Sequence, residues 1–234
     1  RGLRSMPEAE GGGEGLGGGE GPGLIRFSLA ARSGETLLPA GQYQIDLTAA
    51  TIQSIESPST ESALSSVPQS AISSVISSVA SPTGDLYVYR RVASVDSSTL
   101  VLGKTGGAER DVPLPGTNVL DMAWSPDGQR VAVLTVNRSD YSGKWGRVNT
   151  LLFTPRTFDV QVMPLASGMN ARILWSPDGQ TLLTTGTDLV DGRYRVNMQF
   201  IRIATKAVTD LTASLDLSSD LPLLVTAITW QPAP

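Results

Sequence analysis

The pentapeptide Trp-Ser-Pro-Asp-Gly occurs twice in this chain, and the repeat restricts the folds that the chain can adopt. The copies are Trp124–Gly128 and Trp175–Gly179. Each stands between apolar runs, as Val119–Ala123 and Gln129–Leu134 show for the first. An apolar run, a turn and a second apolar run are typical of a β-hairpin. The chain is therefore expected to contain the same hairpin at least twice.

The chemistry of the pentapeptide is that of a tight turn. Proline presets φ at the first corner, aspartate bonds its own backbone, and glycine takes positive φ. We expect the tryptophans to pack between neighbouring sheets and the aspartates to hold their turns rather than to bind a metal. Trp230 opens a partial third copy. The residues given these structural roles are Trp124, Pro126, Asp127, Gly128, Trp175, Pro177, Asp178, Gly179 and Trp230.

Repetition of small hairpins predicts an all-β fold, a β-propeller of four-stranded antiparallel blades. The predicted outer strand pairs are Leu24–Leu29 with Thr36–Gly41, Thr99–Lys104 with Val112–Gly116, Leu151–Arg156 with Val160–Leu165, and Met198–Ile203 with Val208–Leu211. The inner pairs are the two hairpins and a third across Ser81–Gly84. About four blades are predicted, three full and one made of flanking strands.

Two ways of completing the ring stay open. Leu223–Trp230 can pair with Leu24–Leu29 and close a compact four-bladed ring. Alternatively, the chain is the C-terminal part of a larger ring, which we favour because propellers usually have four to eight blades.

The chain divides into two regions. Residues 1–23 are Gly/Glu-rich and of low complexity, which predicts an arm or linker. Residues 24–234 form the propeller. Within it, residues of about 42–70 break the pattern and predict an irregular Ser/Pro-rich insertion.

The composition excludes several kinds of chemistry. The 234 residues include no histidine and no cysteine, which removes the usual general base, thiol nucleophiles and the commonest metal ligands. With 18 basic and 22 acidic residues, the net charge of −4 disfavours nucleic acid as a partner. Asp188–Gly192 is expected to be a hairpin loop. We predict no catalytic, cofactor-binding or metal-binding residues, and no transmembrane segment in this chain.

The repeat resembles the WD-like repeat of TolB-type β-propellers. Trp124–Gly128 and Trp175–Gly179 match it fully, whereas Ser81–Gly84 lacks the tryptophan and has Thr83 in place of aspartate. The resemblance covers roughly residues 70–234. It implies the fold and two kinds of role: TolB is a periplasmic protein-binding subunit of an envelope complex, and similar propellers gate prolyl-oligopeptidase-like peptidases.

We expect a non-catalytic scaffold propeller that binds other protein subunits of a membrane- or envelope-associated complex. Its expected location is periplasmic or extracytoplasmic, with any membrane attachment made by a segment outside this sequence. The alternatives are a propeller module of a larger enzyme and a small-ligand or sugar-binding propeller. The predicted interface is a loop in which aromatic and basic residues alternate, because these types dominate interface hot spots; its members are Tyr141, Lys144, Trp145 and Arg147.

Overall fold

A computed structural model describes most of the propeller region. The described residues are 24–33, 36–46, 51–54, 79–94, 97–115, 118–136, 148–164, 169–212, 217–221 and 223–231. The predicted arm, residues 1–23, lies outside them. No helix long and apolar enough to cross a bilayer occurs in these ranges.

The described ranges form β-strands joined by turns. The strands are β1 Leu24–Ser33, β2 Thr36–Asp46, β3 Thr51–Ser54, β4 Val79–Ala80, β5 Leu86–Ser94, β6 Ser97–Lys104, β7 Glu109–Val112, β8 Asn118–Trp124, β9 Val131–Val136, β10 Val148–Thr154, β11 Asp159–Val162, β12 Met169–Trp175, β13 Thr181–Val190, β14 Arg193–Arg202, β15 Val208–Asp210, β16 Ser218–Ser219 and β17 Leu223–Gln231.

These strands form four antiparallel sheets, which we number as blades. Blade I has the order β4-β5-β6-β7, blade II β8-β9-β10-β11 and blade III β12-β13-β14-β15, with β16 added beside β14. Blade IV has the order β17-β1-β2-β3. The first three blades are meanders in which each strand pairs with the next along the chain. The predicted all-β class with four-stranded antiparallel blades is confirmed.

Blade IV combines strands from the two ends of the chain. Ile25 of β1 lies opposite Trp230 of β17, so the strand pairing that was considered for the compact four-bladed ring is present. The described blades nevertheless do not close into that ring. The predicted positions of the N-terminal strands were wrong, however. Because β17 takes the inner edge, β1 and β2 are the second and third strands rather than the outer pair, and β3 is the outermost strand.

The prediction of an irregular segment at about residues 42–70 is wrong for its first part. Residues 42–46 continue β2, and residues 51–54 form β3, where Ile45 lies opposite Ile52. These residues therefore form regular antiparallel pairs, and β3 is the fourth strand of blade IV. Residues 55–70 lie outside the described part of the chain.

Buried apolar side chains join each blade to the next. The buried members include Val88 and Phe153 at the I–II junction, Leu134 and Leu182 at the II–III junction, and Phe27 and Met198 at the III–IV junction. Among the described residues, no such cluster joins blade IV to blade I. The four blades therefore form an arc, and the propeller is only partly present.

The end blades differ from the middle blades in how their strands are buried. All six residues of β9 in blade II are buried, because both faces of that sheet are covered. In blade I, β5 has a single buried residue, Val88, which points towards blade II. In blade IV, Phe27 is buried against blade III, whereas its neighbour Arg26 is exposed. Each end of the arc thus presents a polar sheet face, as terminal units of stacked repeats commonly do.

Candidate functional site: the tyrosine face of blade I

The Ser-Pro-Asp-Gly segments are turns held by a buried serine. In blade II the Gly128 amide donates to the Ser125 carbonyl at 2.9 Å, and Gly128 has a φ of 68°. The Ser125 hydroxyl accepts the Arg130 amide at 2.9 Å and donates to Asp127. That hydrogen bond is the main reason why the pKa of Asp127 is lowered. Pro126 is exposed at the outer corner.

Blade III repeats the same arrangement. The Ser176 hydroxyl accepts the Thr181 amide at 2.9 Å, and Asp178 accepts the Gln180 amide at 2.9 Å. Gly179 has a φ of 69°, the left-handed conformation that favours glycine. Pro177 is exposed in the same way as its counterpart. The two aspartates therefore serve their own turns.

Two tryptophans connect successive blades by the same hydrogen bond. The Trp124 Nε1–H donates to the Val79 carbonyl of blade I at 2.8 Å. The Trp175 Nε1–H donates to the Ala123 carbonyl of blade II at 2.9 Å. Both acceptors belong to the inner strand of the preceding blade. Trp230 is half-buried, and its ring stacks on Phe200 of blade III at 5.2 Å between centroids.

Blade I departs from this pattern in two ways. Ala80 stands where the other blades have tryptophan, so blade I has no indole to reach towards a preceding blade. Its turn carries Thr83 in place of aspartate, and the carboxylate comes from Asp85, which accepts hydrogen bonds from Thr83 and Ser81. These bonds, the one from Thr83 first, lower the pKa of Asp85.

Other sequence-based candidates lie outside this arrangement. The predicted interface residues Tyr141, Lys144, Trp145 and Arg147 fall outside the described residues. The hairpin loop expected at Asp188–Gly192 is shorter than predicted, because residues 188–190 continue β13 and pair with β14. The turn itself consists of Asp191 and Gly192, both with positive φ. Within the described ranges, no three acidic side chains lie together in a way that suits a metal ion.

The exposed face of blade I carries an ordered polar network that the sequence analysis missed. We call it the tyrosine face, and it consists of Tyr87, Tyr89 and Arg91 on β5 with Glu109 and Asp111 on β7. Residues two apart along a strand share a face, so these five lie on the side opposite Val88 and blade II. The signal in the sequence was the alternation Tyr-x-Tyr-x-Arg and Glu-x-Asp.

Glu109 is the centre of the network. It accepts the Tyr87 hydroxyl at 3.0 Å, the Tyr89 hydroxyl at 2.8 Å and the Arg91 guanidinium at 3.1 Å. Arg91 also donates to Asp111 at 2.6 Å and to the Tyr89 hydroxyl at 2.9 Å. The side chains of Arg91, Glu109 and Asp111 are 47%, 40% and 60% exposed, so the network is ordered and yet open to solvent.

The hydrogen bonds set the protonation of this face. The bond from Tyr89, followed by that from Tyr87, lowers the pKa of Glu109. The same bonding to Glu109 raises the pKa of Tyr87, because a phenolate would lose its donor role beside a carboxylate. At neutral pH the face carries two carboxylates and one guanidinium, a formal charge of about −1.

The two tyrosine rings form a flat strip. Their centroids are 6.2 Å apart and their planes differ by 22°. A Cβ atom added at Gly103 would lie 2.2 Å from Tyr87 Cζ, so the Tyr87 ring lies directly against this glycine. The Arg91 guanidinium is 5.7 Å from the centre of the Tyr89 ring. Aromatic and guanidinium groups are thus fixed in place before any partner binds.

Replacing Gly103 with alanine is expected to displace the Tyr87 ring without unfolding the protein. The ring is the outer end of a side chain, so it can swing towards solvent and lose its bond to Glu109. The pKa of Tyr87 should then fall back towards 10, as a spectrophotometric titration of the tyrosines would show. Glu109→Gln should lower the same pKa with Gly103 intact. A Tyr87 pKa unchanged in both variants would contradict the described network.

Asp121 links blades II and III and gives a pH-dependent prediction. Its carboxylate accepts the Met122 amide at 2.9 Å and the Ile173 amide of blade III at 3.0 Å. Burial raises the pKa of Asp121 above 3.8 despite these bonds and the nearby Arg172. Protonation therefore favours the folded state, and this contribution is complete below 3.8 and lost as the pH rises through the raised pKa.

Comparing the wild type with Asp121→Asn isolates this contribution. Relative to the variant, the wild type should gain free energy of unfolding as the pH falls through the raised pKa towards 3.8. Acids such as Asp127, whose lowered pKa acts in the opposite direction, are common to both proteins and cancel. Urea unfolding at a series of pH values measures the difference. A constant difference would show that Asp121 is not buried at the junction.

The opposite end of the arc has a different polar face. We call it the glutamine face, and it consists of Arg26 on β1, Gln42 and Gln44 on β2, and Thr229 on β17. The Arg26 guanidinium donates to Gln44 at 2.9 Å. Arg26, Gln42 and Thr229 are exposed.

Several solved structures are similar in fold. TolB from Acinetobacter baumannii is 15% identical, with a TM-score of 0.43, over 82% of this chain and 42% of that chain. The β-propeller domain of the Trilobed protease from Pyrococcus furiosus, which has an open velcro topology, is 21% identical, with a TM-score of 0.40, over 54% of this chain and 38% of that chain. Porphyromonas gingivalis dipeptidyl peptidase 4 is 13% identical, with a TM-score of 0.43, over 80% and 30%.

This chain spans less than half the length of each of these proteins. No protein-family profile matches it, and no curated protein matches it in sequence. At such low identities the likeness concerns the fold, and the role of the chain has to be argued from its own surface.

Proposed function

We propose that this chain is a protein-binding propeller whose tyrosine face is the binding surface. The observation that carries the proposal is the polar network around Glu109, which is ordered by five side chains and yet left exposed at the end of the arc. In the middle blades, the equivalent sheet faces are covered by a neighbouring blade. A face of this kind is available to another protein.

The composition of the face supports a protein partner. Tyrosine and arginine are enriched in interface hot spots. Tyrosine contributes a large amphipathic area at a low cost in conformational entropy. Because Glu109 already fixes Tyr87, Tyr89 and Arg91, less side-chain freedom is lost on binding.

We propose that the chain is a scaffold and not an enzyme. The amino-acid composition supports this, because the sequence has no histidine and no cysteine, and the nucleophile–base pairs that use them cannot be assembled from this chain. We propose further that it acts outside the cytoplasm, as an accessory subunit of an envelope-associated complex. The support there is the resemblance of the Trp-Ser-Pro-Asp-Gly repeat to TolB-type propellers. Cell fractionation tests the location.

Site-specific photocrosslinking tests the binding surface. A benzoylphenylalanine residue at position 89 should crosslink the chain to a defined protein in the producing cell. The matched control is the same residue at position 208, because Val208 is also exposed on a sheet edge, in β15 of blade III, and lies away from the tyrosine face. A crosslink at 89 that is absent at 208 supports the proposal. Equal crosslinks at both positions, or none at 89, would contradict it.

A further inference from the structure

We propose that the tyrosine face binds a protein segment that presents arginine side chains. This inference rests on the proposed function, because it names the chemistry of the partner for that surface. A guanidinium group of the partner stacks on the Tyr87 ring and donates to the carboxylates of Glu109 and Asp111. The support comes from the hydrogen-bonding groups that the face leaves unused, from the sign of its charge and from the way in which Arg91 is bound.

The polar network uses most of its own hydrogen-bond donors. Both tyrosine hydroxyls donate to Glu109, and Arg91 uses three of its five N–H groups within the network. The acceptors are used less completely. Oε1 of Glu109 accepts only the Tyr87 hydroxyl, and only Oδ1 of Asp111 accepts a bond from a described residue. Because an ionised carboxylate has about four acceptor sites, a partner that supplies donors is favoured.

The charged side chains of blade I are divided between its two faces. Glu109 and Asp111 share the tyrosine face with one base, Arg91. A third acid, Asp85, is exposed in the turn two residues before Tyr87. The other described bases of this blade lie on the side of blade II, and they are Arg90, Lys104 and Arg110. The acids of the blade are thus left to an outside cation.

Two contacts show that these bases are directed away from the tyrosine face. The Arg90 guanidinium donates to the Val119 carbonyl of blade II at 3.1 Å. The Arg110 guanidinium lies 3.9 Å from the centre of the Phe158 ring in the same blade. Opposite charges across an interface steer the correct partner, so the acidic balance of the tyrosine face favours a basic segment.

Arg91 shows within the chain how an arginine is held here. Its guanidinium lies 5.7 Å from the centre of the Tyr89 ring and donates to Asp111 at 2.6 Å. The half-buried Tyr87 ring lies against Gly103 on one side, and no described guanidinium covers its other side. A partner arginine can repeat the arrangement on Tyr87. A guanidinium stacks on aromatic rings and binds carboxylates through two parallel bonds, whereas the ammonium group of lysine does neither in this way.

Titration with two peptides of equal charge tests the preference for arginine. Tetra-arginine is added to ¹⁵N-labelled protein, the amide shifts are followed by nuclear magnetic resonance, and tetra-lysine is the matched probe. Tetra-arginine should shift the amides of β5 and β7 and bind about threefold or more tightly than tetra-lysine, because of stacking on tyrosine. Its binding should weaken as salt is added.

Two variants with the same change in charge locate the site. Asp111→Asn should weaken tetra-arginine binding by about two- to fivefold, as expected for an exposed ion pair. The control is Asp159→Asn, because Asp159 is an exposed acid at the start of β11 in blade II, away from the tyrosine face. It should leave the affinity unchanged. Urea midpoints establish that both variants fold.

A third variant tests whether the same chain supplies the arginine. Arg26 is exposed on blade IV, at the other end of the arc. Arg26→Gln should leave the affinity for tetra-arginine unchanged. A higher affinity would show that Arg26 competes for the tyrosine face within the chain, and the inference would be overturned.

The same peptides can overturn the inference without deciding the proposed function. Equal affinities for the two peptides would contradict it, as would shifts centred outside β5 and β7. Equal losses of affinity in Asp111→Asn and Asp159→Asn would also contradict it. The crosslink at position 89 is measured independently of these results.

The crosslink then separates the two proposals. Asp111→Arg should abolish the crosslink at position 89, because it places a cation where the partner's arginine binds, whereas Asp159→Arg should retain it. That result supports both proposals. A crosslink that persists in Asp111→Arg would refute an arginine-bearing partner and retain protein binding. Specific binding of tetra-arginine without any crosslink at position 89 would contradict the proposed function alone.

Discussion

Replacing Trp175 with alanine is expected to lower the free energy of unfolding by about 3–5 kcal/mol, the usual cost of removing a large buried aromatic side chain. The indole is only 8% exposed and packs with Ile173 and Leu182 at the II–III junction. The change also removes the 2.9 Å hydrogen bond to the Ala123 carbonyl. Urea unfolding followed by circular dichroism measures the loss.

Trp175→Phe separates the two contributions. Phenylalanine keeps most of the packing but leaves the Ala123 carbonyl without its donor, which should cost about 1–3 kcal/mol. The matched comparison is Trp230→Phe, because Trp230 is half-buried and interacts through stacking on Phe200. Its loss should be smaller. A Trp175→Phe variant as stable as the wild type would show that the indole N–H does not join the blades.

A disulfide between positions 26 and 229 is expected to stabilise the protein by about 4–5 kcal/mol on the chain-entropy estimate for a long loop. Arg26 and Thr229 lie opposite each other on β1 and β17, and both are exposed. The wild type has no cysteine, so a disulfide in the double variant Arg26→Cys/Thr229→Cys can form only between these two positions. Unfolding with and without reductant measures its effect.

The control pairs Arg26→Cys with Asp159→Cys. Asp159 is equally exposed but belongs to blade II, so its thiol should stay free under the same mild oxidation. If the 26–229 pair also stayed free, β1 and β17 would not be neighbours. Blade IV would then not be shared by the two ends of the chain.

The turns were predictable because their chemistry is local. In Ser125–Gly128, the proline, the aspartate and the glycine each act within a few residues, and the structure places the 2.9 Å turn hydrogen bond there. The same local reasoning could not show that Asp85 supplies the carboxylate for the turn at Ser81–Gly84. The sequence shows only that an aspartate is missing at position 83, whereas the replacement depends on how the chain folds back after the turn.

The positions of the N-terminal strands depend on contacts that are distant in sequence. The alternating pattern of Leu24–Leu29 suits a second strand as well as a third, because alternation describes only the faces of a strand. The pairing of β1 with β17 decides its place, and these strands are separated by most of the chain. For this reason, the insertion was predicted to begin at residue 42, although residues 42–46 belong to β2 of blade IV.

The tyrosine face could not be found from the sequence for a similar reason. The alternation of Tyr87, Tyr89 and Arg91 is visible, and so is that of Glu109 and Asp111. In a middle blade, the same side of the sheet would be covered by the preceding blade. Only the place of blade I at the end of the arc leaves this side exposed, and that place is a property of the whole assembly of blades.

Radical footprinting of the dilute monomer tests most directly whether the arc is open at blade I. With modification measured by mass spectrometry relative to the unfolded chain, Tyr87 and Tyr89 should be modified readily. Trp124 and Trp175, both 8% exposed, should be protected. Protection of the two tyrosines in the monomer would mean that another part of the same chain covers them, and the exposed binding face would not exist.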